Sequence, residues 1–230
     1  MVSYLCSSGE IEESQPEIAM WGIGAVEQHG PHLPVGTDLI QVASITYQVA
    51  LELGGFLIPP LPFSMSECHG KEAGTQWLRP DTLGNVVKDV VSSLVRGGIN
   101  KIVVVNGHGG NFVLSSVVRE MGLKESNLDI LLLEAAELMP SELVQDSGIH
   151  AGAAETSLQL YLNKNNVKDR IGGTVPPVGR EFLDYLTLPQ LSPKGIWGDP
   201  EQGSAELGRE MFERAVKKCI SKVKRELNYS

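Results

Sequence analysis

Residues 18–38 read IAMWGIGAVEQHGPHLPVGTD, and this stretch decides the fold class. Its first part, Ile18–Ile23, is an apolar run of the length of one strand, which predicts a strand buried in a sheet. Beyond its end, apolar residues recur at roughly helical spacing over Asp38–Leu53, which predicts a helix packed on that sheet. A strand followed by a helix is the repeating unit of an α/β protein.

The same unit recurs along the chain. The nearly unbroken β-branched run Lys101–Val105 is typical of a central parallel strand. The other predicted elements are strands at Phe56–Leu61 and Asp129–Leu133, helices at Thr82–Val95, Phe112–Leu123, Ala151–Leu162 and Glu201–Glu226, and an irregular segment at Gly172–Pro200. We therefore expect an α/β fold with a mostly parallel sheet, helices on both faces and sites at the carboxyl ends of the strands.

Length and composition limit the remaining possibilities. The 230 residues contain no long linker, so we expect residues 1–230 to form a single domain. A net charge of −9 without a basic stripe argues against a nucleic-acid partner. Three cysteines without a C-x-x-C pair favour a reducing compartment, and the polar N-terminus lacks the features of a signal peptide. We therefore expect a soluble cytoplasmic protein that does not interact with membranes.

Metal-binding side chains cluster after the first predicted strand. Glu27 and His29 are two positions apart, so in an extended segment both side chains point to the same side and can reach one ion. Asp38 begins the next helix, where a carboxylate commonly caps free amide groups. Beside Glu27 and His29, however, Asp38 is better explained as a ligand whose two oxygens can bridge two cations.

A second group follows the strand Lys101–Val105. His108 lies in NGHGGN, where glycines let the backbone turn sharply and approach a ligand closely. An incidental histidine in an anion-binding turn is the alternative explanation. The sequence IHAGAAETSL then offers His150 and Glu155, whose side chains can meet only if the first helical turn is irregular.

One more polar segment, SECHGKEAGT, carries Glu67, Cys68, His69 and Glu72. These residues could contact a substrate or form a lid, but an ordinary polar loop explains them equally well. Cys68 is a weak candidate nucleophile, because nothing in the sequence indicates a lowered thiol pKa.

Three of these motifs resemble those of the creatininase family of amidohydrolases: GAVEQHGPHLPVGTD, NGHGGN and HAGAAETS. They follow the family's order, and the resemblance covers most of the chain. It implies a three-layer α/β/α sandwich, two divalent metal ions (zinc, manganese or iron), hydrolysis of a C–N amide bond in a small molecule, and a homo-oligomer. Glu27 and His108 would bind the first ion, His29 the second, and Asp38 both.

The sequence departs from creatininase itself at one ligand. There the loop after the strand supplies a glutamate two positions beyond its histidine, and here that position is Gly110. Either Glu155 provides the missing carboxylate, which we favour, or the second site is more open. The departure also argues against creatinine as the substrate.

The implied mechanism uses a hydroxide held between the two ions as the nucleophile, since a metal-bound water has a pKa near 7. His150 is the candidate general acid for the departing nitrogen, with Glu155 as an alternative proton shuttle, and His32 would orient a ligand or contact substrate. Two other branches of the family remain open, a formamide deformylase and a peptidase. A non-catalytic metal-binding α/β module is the alternative from another class.

Overall fold

The centre of the molecule is a parallel sheet, seen in a computed structural model that describes residues 1–138, 143–144 and 148–229. The strands are β1 (Val2–Ser3), β2 (Ile18–Ile23), β3 (Phe56–Leu57), β4 (Lys101–Asn106) and β5 (Asp129–Glu134). They lie in the order β1-β3-β2-β4-β5, and neighbouring strands are parallel throughout. The crossovers between parallel strands place helices on the faces of the sheet.

The helices are α1 (Ser8–Ser14), α2 (Thr37–Leu53), α3 (Pro80–Arg96), α4 (Val113–Lys124), α5 (Ala135–Leu138), α6 (Ala153–Asn163), α7 (Leu188–Leu191) and α8 (Ala205–Glu226). Short 3₁₀ turns cover Glu67–His69, Lys164–Asn166, Arg180–Asp184 and Pro200–Gln202. Within the described ranges, no helix combines the length and the apolar character needed to cross a membrane.

Alternate side chains of the central strands enter opposite faces of the sheet, as strand geometry requires. Met20 and Val103 belong to a core that also contains side chains of α2 and α8. Trp21 and Ile102 belong to a second core, built with α3 and α4. Both faces of the sheet are thus covered by helices, which confirms the three-layer α/β/α sandwich and the mostly parallel sheet.

The predicted strand at Phe56–Leu61 is shorter in the structure, because two consecutive prolines, Pro59 and Pro60, lack the amide hydrogen that a strand ladder uses. The chain nevertheless continues beside β2, with Leu61 donating to the carbonyl of Gly22. The predicted helix Glu201–Glu226 begins later, at Ala205, where the Ser204 hydroxyl caps it by accepting from the amide of Leu207.

The N-terminal strand β1 and helix α1 were not predicted. Strand β1 has two residues, too few for a periodic pattern. Helix α1 has no buried residue, so it leaves no apolar face in the sequence. Its sequence signal is the capping box formed by Ser7 and Glu10, which satisfies amide groups at the start of the helix.

Close packing of α2 against the end of β2 depends on Gly24. A Cβ atom at this position would lie 2.5 Å from the Cα and 2.7 Å from the amide nitrogen of Leu39. These are backbone atoms, so a side chain could be accommodated only if the helix moved away from the strand. Position 24 therefore sets how closely Asp38 approaches the sheet.

We predict that Gly24→Ala lowers the free energy of unfolding by about 1–3 kcal/mol, the usual cost of overpacking. The matched control is Gly9→Ala, where a Cβ meets nothing within 4 Å. Alanine should be neutral or stabilising in that exposed helix by up to about 1 kcal/mol. Urea denaturation in the presence of a chelator measures both, and equal stability of the two variants would contradict the prediction.

Candidate metal centre

The candidate site lies at the carboxyl ends of the strands, where the loops after β2 and β4 meet the start of α2. Glu27 and His29 follow β2, Asp38 is the second residue of α2, and His108 follows β4. Parallel neighbours bring their carboxyl ends to one edge of the sheet, which is why motifs far apart in sequence converge. All four side chains are buried.

Asp38 contacts both predicted imidazoles, one with each carboxylate oxygen. Its Oδ1 lies 3.2 Å from Nε2 of His29, and its Oδ2 lies 3.1 Å from Nδ1 of His108. The cap residue of α2 is Gly36, and no side chain makes a capping hydrogen bond there. Asp38 is therefore directed into the site, and its contacts match those expected of a carboxylate shared by two cations.

Main-chain carbonyls orient three imidazoles of the site. The contacts are His29 Nδ1 to the carbonyl of Glu27 at 3.1 Å, His108 Nε2 to the carbonyl of Met65 at 2.8 Å, and His150 Nε2 to the carbonyl of Gln28 at 2.8 Å. Because a carbonyl oxygen only accepts, each of these ring nitrogens carries a hydrogen. In the neutral ring the other nitrogen then presents its lone pair, as a metal ligand must.

A hydrogen-bond network behind His108 fixes its loop. The side-chain oxygen of Asn106 accepts from the amide of His108 at 3.2 Å and from Nδ2 of Asn111 at 2.9 Å. Nδ2 of Asn106 donates to Glu134 at 2.7 Å, at the end of β5. The Asn111 oxygen accepts from the amide of Met65 at 3.0 Å, so the residue whose carbonyl orients His108 belongs to the same network.

The irregular turn that His150 and Glu155 require is present. Ala151 has a φ of +53°, in the left-handed region, and the Glu155 carboxylate reaches back to accept from its amide. Glu155 lies in the first turn of α6, where the helix dipole favours a negative charge. Its Oε1 is 3.6 Å from Nε2 of His29, while Nδ1 of His150 is 3.7 Å from Oε1 of Glu27. The HAGAAETS motif thus contributes two side chains to the site.

Two residues that the structure brings to the metal centre, His69 and Gln28, were not predicted to belong to it. His69 is buried, with Nε2 3.1 Å from Oε1 of Glu27. The Nε2 of Gln28 lies 3.0 Å from Nδ1 of His69. Since His69 follows β3, the shared strand edge could have indicated its position. Gln28 carried no comparable signal, because a glutamine between two ligands ordinarily points away from them.

His32, predicted to orient a ligand or contact substrate, and Cys68, a weak candidate nucleophile, both lie in partly or fully buried positions. His32 is fully buried and its Nε2 contacts the Thr156 hydroxyl at 3.0 Å, so it ties the first loop to α6. Burial lowers the pKa of His32 to about 4. For Cys68, burial and then the charge of Glu27 raise the thiol pKa to about 12, which leaves the thiol protonated and a poor nucleophile.

The carboxylates control protonation of the site. Burial opposes the charged form of His29, but attraction by Asp38 and Glu155 outweighs it and raises the His29 pKa well above its usual value. Burial is likewise outweighed at His108, where Glu27 and Asp38 raise the pKa to about 9. Burial, then the charges of His29 and His69, hold the pKa of His150 well below its ordinary value.

The donor set fits divalent cations. Four side-chain atoms of the site are buried without a hydrogen-bond partner of correct geometry: both carboxylate oxygens of Glu27, Nε2 of His29 and Oδ2 of Asp38. Buried carboxylates this close together repel one another unless positive charge lies beside them, from protonated imidazoles or from a bound cation. Imidazole nitrogen and carboxylate oxygen suit zinc, iron and manganese.

Among the residues that the structure describes, three overlapping groups bring one ligand atom from each residue within 4.8 Å of the others: Glu27 with His29 and Asp38; His29 with His150 and Glu155; Glu27 with His69 and His150. His108 belongs to none of them, although it contacts both Glu27 and Asp38. The first two groups both contain His29, and the first and third both contain Glu27.

Position 110 has no room for a side chain. A Cβ atom on Gly110 would lie 2.4 Å from Nε2 of His108 and 2.5 Å from the carbonyl oxygen of Met65. A glutamate at this position would displace the hydrogen bond that orients His108. Besides Asp38, the carboxylate that faces His29 is that of Glu155, which belongs to another element.

A cluster of imidazoles and carboxylates at the carboxyl edge of a parallel sheet defines an α/β protein with a candidate metal centre. The chain belongs to the creatininase family, since the family model described as creatinine amidohydrolase matches residues 5–223.

Similar proteins have several activities. The chain is 29% identical to the mycofactocin precursor peptide peptidase of Mycobacterium ulcerans, over 95% of this chain and 89% of that one. It is 26% identical to the creatinine amidohydrolase of Pseudomonas putida, over 91% and 89%. It is 23% identical to the 2-amino-5-formylamino-6-ribosylaminopyrimidin-4(3H)-one 5'-monophosphate deformylase of Methanobrevibacter smithii, over 89% and 88%.

Solved structures support the fold. A crystal structure of creatinine amidohydrolase (creatininase) superposes with a TM-score of 0.83 at 21% identity, covering 98% of this chain and 97% of that one. Similar structures of creatininase include a zinc form and a manganese form.

We predict that the chelator-treated protein loses stability as the pH rises from about 6.5 to about 9. The pKa of His108 is about 9 in the folded chain and about 6.5 in an unfolded one, and that of His29 is also raised. Their protonation therefore stabilises the fold fully below the lower value, and this contribution disappears as the pH passes the higher one.

Urea denaturation at several pH values in this window measures the effect. The protein saturated with zinc or manganese is the control, because bound ligands are deprotonated and the cation replaces the lost protons. A metal-free stability that stays constant or increases across the window would contradict the prediction.

Proposed function

We propose that this chain is a dinuclear metal-dependent amidohydrolase that cleaves a C–N amide bond of a small molecule. The observation that carries the proposal is the position of Asp38, whose two oxygens contact imidazoles from separate loops. Membership of a family whose named members are hydrolases of amide and formyl C–N bonds supports the same reaction class.

The proposed ligands form two groups, one for each cation, and Asp38 belongs to both. Glu27 and His108 would hold one cation, with Nδ1 of His108 presenting its lone pair because Nε2 is committed to a carbonyl. His29 and Glu155 would hold the other, and Asp38 would bind both. Bound divalent cations supply the field that lowers the pKa of a water molecule and polarises a substrate carbonyl.

His150 is the proposed proton-transfer residue. Its Nε2–H is committed to the carbonyl of Gln28, and its lowered pKa keeps the ring neutral, so Nδ1 is an acceptor directed towards Glu27. It would first take the proton of the attacking water and then give it to the departing nitrogen. The general-acid role expected from the sequence is the second of these two steps.

A peptide substrate is the second candidate, favoured by the identity of 29% to a precursor peptide peptidase. The lack of space for a glutamate at Gly110 also separates this chain from creatininase itself.

A panel assay distinguishes the branches: metal-loaded protein is incubated with creatinine, a formylaminopyrimidine nucleotide and short peptides, and products are identified by mass spectrometry. If no C–N bond is cleaved in any class, the non-catalytic binding module becomes the better explanation.

We predict that Asp38→Asn reduces the metal content from two ions per chain to one or none while the chain stays folded. The amide keeps the volume of the carboxylate but not the charge that both cations need. Metal analysis after gel filtration measures the content, and circular dichroism measures the fold. The matched control is Asp81→Asn, at an exposed aspartate in the first turn of α3. Unchanged metal content in Asp38→Asn would remove the bridging role.

We predict that Glu155→Gln removes one of the two ions. Glutamine can still accept from the amide of Ala151, so the turn should persist, but it lacks the negative charge that faces His29. Metal analysis together with the rate on the substrate found by the panel measures the effect. If both ions are retained and only the rate falls, Glu155 is a proton shuttle instead of a ligand.

A further inference from the structure

Gln28 is buried between the two predicted ligands Glu27 and His29, and the proposed chemistry gives its side chain no task. Burial of an amide side chain is costly unless both ends are hydrogen-bonded. Each end of this amide has a partner: a main-chain N–H at one end and imidazole nitrogen at the other. The polarity of these contacts identifies which atoms carry hydrogens.

The amide orientation follows from its first partner. The main-chain N–H of Gly30 lies 3.0 Å from Oε1 of Gln28, and an N–H can only donate, so the oxygen occupies this end. Gly195 packs against the same oxygen so closely that a Cβ there would lie 2.0 Å from it. The side chain is thus enclosed, and its NH₂ group must face the imidazoles.

The NH₂ group in turn fixes His69. Nε2 of Gln28 lies 3.0 Å from Nδ1 of His69 and 3.2 Å from Nε2 of His150. The His150 nitrogen donates its hydrogen to the main-chain carbonyl of Gln28, so it cannot accept from the NH₂ group. Because the NH₂ group can only donate, Nδ1 of His69 must be its acceptor. The hydrogen of neutral His69 is then on Nε2, which lies 3.1 Å from Oε1 of Glu27 in a polar contact outside hydrogen-bond geometry. A nitrogen that carries a hydrogen has no lone pair for a cation.

We propose that Gln28 is a positioning residue that holds His69 as an N–H donor facing Glu27, so that His69 orients this ligand and does not itself bind metal. The proposal rests on the proposed function for the role of Glu27 as a ligand. By this proposal His69 is not a metal ligand, whereas His29 and His108 are. All three rings lie about equally close to a carboxylate oxygen. Partners of this kind behind a ligand typically contribute 10–100-fold to metal affinity.

A pair of variants at position 69 tests the proposal. His69→Gln keeps an N–H donor of similar reach, whereas His69→Leu removes it. Zinc and manganese binding by isothermal titration gives stoichiometry and affinity. We expect both variants to bind two ions, with His69→Gln within a few-fold of the unmodified protein and His69→Leu weaker by about 10–100-fold at one ion. Loss of an ion in both variants, or unchanged affinity in His69→Leu, would overturn the proposal.

The hydrogen position can be measured directly. In the zinc-loaded protein, imidazole ¹⁵N chemical shifts distinguish a protonated from an unprotonated ring nitrogen. We expect His69 to be protonated at Nε2 only, and Gln28→Leu to give a mixture of both tautomers. Gln48→Leu is the matched control: Gln48 is a half-buried residue of α2 whose amide donates to Glu52, and its replacement should leave the His69 signals unchanged. A hydrogen on Nδ1 of His69 in the unmodified protein would overturn the proposal even if Gln28→Leu fails to fold.

These measurements also separate the two proposals. If the unmodified protein binds no divalent cation, the proposed function fails, and the tautomer of His69 in the metal-free protein still tests the contact with Gln28. If two ions bind but His69 is protonated at Nδ1, the proposed function stands and the role given to Gln28 is wrong.

Discussion

The whole site depends on two buried carboxylates, those of Glu27 and Asp38, and on the half-buried carboxylate of Glu155 beside them. Carboxylates removed from water repel one another, and only positive charge close to them allows them to remain ionised. In the metal-free chain this charge comes from protonated His29 and His108, whose pKa values the carboxylates raise. Divalent cations would provide it without protons. The same side chains link fold stability to pH, and in the proposed function they would link both to metal binding.

The parts of the site that sequence could predict are those set by short-range geometry. Glu27 and His29 are two positions apart in extended chain, and His108 directly follows an apolar strand. The parallel sheet brings the carboxyl ends of its strands to one edge. Alternating strands and helices predict such a sheet, so they also predicted a site at this edge. The limits of β2 and β4 were similarly clear, since buried central strands are apolar on both faces.

The remaining features depend on tertiary contacts that leave little trace in a single sequence. His150 and Glu155 meet only because Ala151 adopts a left-handed conformation, which alanine rarely does. His69 reads as part of a polar loop until the chain beyond β3 is seen to follow the edge of β2. Gln28 acquires its role from Gly30 and Gly195, one of which lies more than 150 residues away in sequence. No local sequence pattern indicates a contact between residues so far apart.

The hydrogen bonds from His29, His108 and His150 to main-chain carbonyls have a consequence for how such a protein can diverge. Carbonyl groups exist at every position, so replacing the side chains of Met65 or Gln28 does not remove the acceptors that aim these rings. Side chains around the site can therefore be substituted, which changes the substrate that fits, without loss of the hydrogen bonds that orient these imidazoles. A scaffold of this kind is well suited to exchanging one substrate for another over evolutionary time.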